Sequence, residues 1–113
     1  MESRITKKNS YTIVEVLSNK FDAQVAPTLK AELTEIAGAN EKNIILDLSN
    51  CRYCDSSGLS AILVGNRLCK NAGGKFVLCG LQQVVERLIA ISQLNSILVI
   101  APDLEQAEAE IVK

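Results

Sequence analysis

The chain has 113 residues, of which 48% are apolar, and it contains neither histidine nor tryptophan. This length fits one domain, and the apolar share argues against a disordered chain. Its 12 basic and 13 acidic side chains leave a formal charge of -1, so no electrostatic footprint for nucleic acid is present.

The first half of the chain predicts three strands and one helix. Residues 11–17 are rich in β-branched side chains and predict a strand, with which residues 1–7 can pair across a short polar turn. Residues 18–22 are expected to form a loop. Apolar positions at helical spacing over residues 26–37 predict the first helix, and residues 43–48 predict a strand that is buried on both faces.

The second half of the chain alternates helix and strand. Helices are predicted over residues 56–71, over residues 81–89 and from residue 103 onward, and strands over residues 75–79 and 97–100. This order indicates parallel strands joined by right-handed crossovers after an antiparallel hairpin. We therefore predict a small α/β domain with a mixed, mostly parallel sheet of 4–5 strands flanked by about four helices.

The apolar runs of the sequence are all far too short to cross a bilayer. The first residues, Met1 to Arg4, are not followed by the apolar segment that a signal peptide requires. We therefore expect a cytoplasmic protein with a single domain over residues 1–113 and no direct membrane insertion.

The four cysteines, Cys51, Cys54, Cys69 and Cys79, are one candidate for a chemical site. Cys51 and Cys54 have the CxxC spacing of zinc sites and redox pairs, but Cys69 and Cys79 lie too far apart for the usual zinc template. Cysteine also packs in cores as a small apolar residue. We expect four reduced core cysteines, and a cysteine-based metal or redox protein is the alternative.

A second candidate lies where the second helix is predicted to begin, at Asp55, Ser56, Ser57 and Gly58. Asp55 is a good N-cap, and the free N–H groups of a helix start accept an anion, including a phosphate on a serine within it. Gly58 would let a partner's backbone approach closely. An ordinary N-cap explains the same residues, whereas a serine nucleophile lacks both the GxSxG motif and a histidine base.

Residues 45–63, ILDLSNCRYCDSSGLSAIL, resemble the central signature of STAS domains, and of bacterial anti-sigma factor antagonists in particular. That signature is a strand ending in D-L or N-L, a short loop, and D-[ST]-[ST]-G-[LI] opening a helix. Residues 17–22, 73–79 and 88–94 resemble further family motifs in the same order, so the resemblance covers essentially the whole chain. Two glycines of these motifs are replaced, one by Gln93 and one by Asn19, which tolerates a positive φ.

The resemblance implies a binding protein without catalytic residues, cofactor or metal, and a monomer or weak dimer. Stand-alone members bind an anti-sigma factor that is also a serine kinase, which frees a sigma factor for transcription. The kinase phosphorylates a hydroxyl residue at the start of the second helix, the phosphorylated form no longer binds productively, and a PP2C-type phosphatase resets it. Ser56 aligns with the acceptor, with Ser57 as the alternative, and the implied partner-binding residues are Asp22, Asp55, Ser56, Ser57 and Gly58.

The same family also implies an alternative function, a small cytoplasmic STAS subunit of a membrane lipid-transport ABC system. Such subunits often lack a usable acceptor serine. The intact sequence from Asp55 to Gly58 therefore favours the phosphorylation switch.

Overall fold

The alternation of strand and helix is present in the computed structural model, which describes residues 3–113. The strands are β1 (Ser3–Lys7), β2 (Thr12–Val16), β3 (Lys20–Phe21), β4 (Ile44–Asp47), β5 (Tyr53–Cys54), β6 (Phe76–Cys79) and β7 (Val99–Ala101). The helices are α1 (Ala26–Gly38), α2 (Ser56–Asn71), α3 (Gln83–Ile91) and α4 (Leu104–Ile111), with a short 3-10 helix at Leu94–Ser96.

The main sheet has five strands in the order β1-β2-β4-β6-β7. The β1–β2 hairpin is antiparallel, and every later pairing in this sheet is parallel. The predicted fold class, a mixed and mostly parallel sheet with four helices, is confirmed. The hairpin prediction is confirmed for residues 3–7, while Met1 and Glu2 lie outside the described residues.

Successive strand residues point to opposite faces of the sheet and so enter two different cores. On one face, Val14, Leu46 and Leu78 pack with apolar residues of α1, α2 and α3. On the other face, Ile13, Ile45 and Val77 pack with apolar residues of α4. Because both faces are covered, every residue of β4 and β6 is buried, as the continuous apolar sequence of these strands predicts.

A second, two-stranded sheet was not predicted. The strands β3 and β5 pair in parallel, with Lys20 opposite Tyr53 and Phe21 opposite Cys54. The prediction that residues 18–22 form a loop is therefore wrong at Lys20 and Phe21. Strands of two residues are too short to show an alternating pattern, and their partner lies 33 positions away in the sequence.

Two elements have boundaries that differ from the prediction, the helix expected over residues 81–89 and the strand that follows it. The helix α3 begins at Gln83, two residues later than expected, and β7 covers Val99–Ala101 instead of residues 97–100. Ile97 and Leu98 both donate backbone hydrogen bonds to the carbonyl oxygen of Leu94 (3.1 and 3.0 Å). These bonds hold both residues in the turn that follows the 3-10 helix, so the strand begins only after them.

The structure also shows the backbone conformation at positions 93 and 19, where two glycines of the family motifs are replaced. Gln93 has a φ of 61°, in the left-handed region that favours glycine. Asn19 is not among the residues with positive φ, so the tolerance of asparagine for that region is not used at this position. Within residues 3–113, none of the helices combines the length and the apolar character needed to span a membrane.

Candidate functional site

The small sheet brings two aspartates together. The strands β3 and β5 run parallel and end at the opposed pair Phe21 and Cys54, so Asp22 and Asp55 each follow at the same end of this sheet. The backbone N–H of Asp55 also donates to the carbonyl oxygen of Phe21 (3.3 Å). Two of the predicted site residues, 33 positions apart in the sequence, are therefore neighbours in the structure.

Asp55 caps the second helix as predicted. Its side-chain Oδ1 accepts hydrogen bonds from the backbone N–H of Ser57 (2.9 Å) and Gly58 (3.1 Å). Its backbone is extended, with φ -111° and ψ -171°, which is the usual geometry of an N-cap residue. The capping interpretation is thus correct, and it leaves the two serines in the first turn of α2.

Asp22 organises the entry to the first helix. Its Oδ1 accepts from the backbone N–H of Gln24 (3.0 Å) and Val25 (3.4 Å), and its carbonyl oxygen accepts from Ala26 (2.8 Å). The carboxylates of Asp22 and Asp55 therefore share one role: each is fixed by backbone N–H groups in the turn that follows its strand. Both residues are half-buried, so two acidic groups lie at the surface beside the start of α2.

The two candidate serines differ in exposure. Ser56 is exposed, whereas Ser57 is half-buried. Among residues 3–113, neither serine hydroxyl makes a hydrogen bond, and the backbone N–H of Ser56 has no acceptor. Ser56 therefore combines an accessible hydroxyl with a free helix-start N–H group, the feature that favours an anion at such a position.

Gly58 is buried against the small sheet. A Cβ atom at this position would collide with the backbone oxygen of Phe21 and would lie 2.7 Å from Cys54 Sγ. The close approach that we expected for a partner is therefore made by Phe21 of the same chain. The glycine lets α2 begin directly against β3, and this packing carries Ser56 to the surface.

Three exposed residues on or next to the small sheet were not predicted as site residues: Lys20, Arg52 and Tyr53. Lys20 and Tyr53 are opposed on the outer face of the small sheet, while Phe21 and Cys54 face inward. Tyr53 leaves 47% of its surface exposed, which is high for an aromatic side chain. In each of these two-residue strands, one side chain is exposed and the next is buried. An alternation this short can be recognised only after the two strands are seen to pair.

The four cysteines are buried, which confirms the prediction that they pack in the core, and none of them is joined to another among residues 3–113. Burial is the main cause that raises the pKa of Cys51 and Cys79 to about 12, and that of Cys54 and Cys69 to about 11. A reactive or metal-binding cysteine needs an accessible thiolate, which a raised pKa disfavours. Within residues 3–113, no group of three or more potential ligands from His, Cys, Asp and Glu lies together.

A comparison with protein-family models decides the family. A model described as the STAS domain matches residues 3–107. The chain belongs to the STAS domain family. The resemblance read from residues 45–63 and the three further motifs is thereby confirmed.

Two relatives of this STAS domain are named after one activity. This chain is 30% identical over 97 residues to a Bordetella bronchiseptica protein provisionally named anti-sigma factor antagonist BtrV. The match covers 86% of this chain and 84% of that protein. The chain is also 30% identical over 83 residues to the anti-sigma F factor antagonist of Paenibacillus polymyxa, covering 73% of this chain and 71% of the relative.

Solved structures share the STAS fold. A provisionally named anti-sigma factor antagonist of Thermotoga maritima matches with a TM-score of 0.87 at 23% identity, over 98% of this chain and 95% of that chain. The phosphorylated form of SpoIIAA, a Bacillus cell fate determinant, matches with a TM-score of 0.74 at 15% identity, over 95% and 97%. At 23% and 15% sequence identity, these two matches establish that the fold is shared, and they carry no statement about function.

Proposed function

We propose that this STAS domain is an anti-sigma factor antagonist, and that a serine-kinase anti-sigma factor switches it by phosphorylating Ser56. In this proposal the chain binds its partner and performs no catalysis of its own. The names of its two relatives support antagonism. The observation that carries the choice of site is the exposed hydroxyl of Ser56 at the start of α2, beside two half-buried aspartates.

Ser56 is a better acceptor than Ser57 on physical grounds. A kinase must reach the hydroxyl and place it in line with the transferred phosphoryl group, which requires an accessible side chain. Ser56 is exposed, whereas Ser57 is half-buried and its N–H group already donates to Asp55. The solved phosphorylated form of SpoIIAA supports the idea that this fold accommodates a phosphate.

The switch would act through charge at the surface. A phosphate adds roughly -1.5 to -2 charges at neutral pH, and the N-terminus of α2 tolerates them because the helix dipole is positive there. Asp22 and Asp55 add negative charge at this end of the small sheet, while the exposed Lys20 and Arg52 offset part of it. A partner shaped for a neutral hydroxyl would meet added bulk, like charge and a desolvation cost. A loss of about 3 kcal/mol would weaken binding more than a hundredfold.

The proposal requires no change of fold, because the Ser56 side chain lies outside both cores. A PP2C-type phosphatase would restore the neutral hydroxyl, and the cycle would take place in the cytoplasm. A rearrangement of α2 on phosphorylation would contradict this account in favour of an allosteric one.

The test compares the native chain with Ser56→Ala and Ser56→Asp. Each form is used to capture partners from the source cells, and the captured kinase is then purified and titrated against each form. We expect the native chain and Ser56→Ala to bind alike and Ser56→Asp to bind at least a hundredfold more weakly. Incubation with the kinase and ATP should place phosphate on Ser56 in the native chain, as read by mass spectrometry, and none on Ser56→Ala.

A matched control carries the same charge elsewhere. Ser10 is an exposed serine in the β1–β2 turn, and Ser10→Asp should bind like the native chain. Phosphate found on Ser57 would move the acceptor by one residue and contradict the assignment to Ser56. Equal capture of a lipid-transport ATPase by all three forms would replace the switch with the transport-subunit alternative.

A further inference from the structure

The outer edge of β7 is apolar and, within the described residues, unpaired. In the order β1-β2-β4-β6-β7, this strand lies at one end of the sheet, and among residues 3–113 no strand pairs with its outer side. An edge strand presents unpaired N–H and C=O groups to solvent. Large side chains beside this edge are also exposed: Ile97 by 49%, Val99 by 46% and Ile100 by 36%.

The opposite edge of the sheet is protected in a way that β7 is not. The edge strand β1 carries Arg4 and Lys7, both exposed, and charged side chains of this kind prevent strands from pairing edge to edge. The segment 97–101 contains no charged residue. Although β7 has only three residues, which limits pairing at its edge, it is the edge of this sheet on which another strand can pair without meeting a charged side chain of the strand itself.

The groove beside β7 carries two opposite charges. Glu86 and Arg87 of α3 line it together with Ile100. A twofold axis exchanges the two copies of every residue, so Glu86 of one chain can meet Arg87 of the other, and the reverse. On this face, the acid and the base beside the apolar strand make it complementary to itself. On the other face, Lys70, Lys75 and Glu110 line the groove beside Val99, so acidic and basic groups are present there as well.

We propose that β7 pairs antiparallel with β7 of a second copy of this chain, forming a twofold dimer with one continuous ten-stranded sheet. Val99 and Ile100 would pack against their counterparts, and Glu86 and Arg87 would form reciprocal ion pairs. The paired edge is only three residues long, so the contact is smaller than the roughly 800 Å² per partner of a standard interface. We expect a weak dimer with a Kd of roughly 1–100 µM.

The first test measures self-association of the full chain by sedimentation from about 1 µM to about 1 mM. Val99→Lys places a charge on the β7 edge and should raise the Kd at least about tenfold. Ile5→Lys is the matched control, because Ile5 lies on the other edge strand and is exposed to a similar extent, 45% against 46% for Val99. It should leave the Kd unchanged.

A charge exchange tests the symmetry of the dimer. Glu86→Arg sets like charges across the axis and should weaken the dimer about fivefold or more, since each copy contributes one such contact. Adding Arg87→Glu reverses both charges and should restore the native Kd. Such a rescue depends on the twofold geometry and is not expected for an unspecific loss of stability.

Hydrogen exchange provides a measurement that needs no variant. On dilution below the Kd, the backbone amides of Val99–Ala101 that point away from β6 should lose protection, while those of Ser3–Lys7 should not. The proposal would be overturned if the chain stays monomeric up to about 1 mM, or if Val99→Lys leaves the Kd of the dimer unchanged. A dimer weakened by Ile5→Lys alone would also overturn it, because the β1 edge would then be the interface.

Discussion

Phe21, the last residue of β3, covers Gly58 of α2 so closely that no side chain fits between them. This contact joins the small sheet to the helix that carries Ser56. It also explains why Asp22 and Asp55, which follow the two short strands, lie beside the start of that helix. The position of the candidate site therefore depends on one glycine inside the fold.

Gly58→Ala should destabilise the chain. The new methyl group would collide with the backbone oxygen of Phe21, and a backbone atom cannot move aside as a flexible side chain can. We expect a loss of about 1–3 kcal/mol in the free energy of unfolding, measured with urea. Gly38→Ala is the control, because nothing lies within 4 Å of a Cβ there. Equal stability of Gly58→Ala and the native chain would contradict the packing described.

Asp55→Ala should remove the cap of α2 and cost about 1 kcal/mol of stability. Asp55→Asn should retain most of that stability, because an amide oxygen can also accept from the N–H groups of Ser57 and Gly58. Asp103→Ala, at the equivalent position of α4, provides a comparison, since Asp103 Oδ1 accepts from Gln106 N–H (2.9 Å). A loss as large in Asp55→Asn as in Asp55→Ala would mean that the charge of Asp55, and not its cap, stabilises the fold.

Gln93→Gly should stabilise the chain by about 0.5–1 kcal/mol. A side chain in the left-handed region costs roughly 1–2 kcal/mol, from which the larger unfolded-state entropy of glycine must be subtracted. Gln93 has a φ of 61°, and Asn40, with a φ of 68°, is the control. Asn40→Gly should gain less, because asparagine tolerates this region better. Thermal unfolding of both variants measures the difference, and a destabilised Gln93→Gly would show that the Gln93 side chain contributes more than its strain costs.

The stability of the fold should fall in alkaline solution. Burial raises the pKa of the four cysteine thiols from 9.0 to about 11 or 12 in the folded chain. Between these values the unfolded chain loses thiol protons that the folded chain keeps, so unfolding releases protons and is favoured as the pH rises. Urea midpoints from about pH 8 to pH 11 should therefore decrease. The decrease should be shallower in Cys51→Ala, and identical slopes would contradict a thiol origin.

Local signals predicted α2 well and the small sheet not at all. The helix begins at Ser56 and ends at Asn71 as expected, because Asp55 marks its start and Gly73 follows its end. The last strand begins two residues later than predicted, because the apolar residues 97 and 98 have a strand-like composition but lie in a turn. Their hydrogen bonds to Leu94 come from the fold of the preceding segment, which composition does not record.

The amino-acid sequence by itself determined the fold class, the capped start of α2 and the family resemblance. The cap and the helical faces depend on residues three or four positions apart, and the fold class and the resemblance depend on the order of such local segments along the chain. Only the tertiary structure decided that Asp22 lies beside Asp55, that Ser56 is exposed while Ser57 is half-buried, and that β1 and β7 are the two edges of the main sheet. These relationships join segments about 30 positions apart or more, and they exist only after the strands have paired and the helices have packed on the sheet.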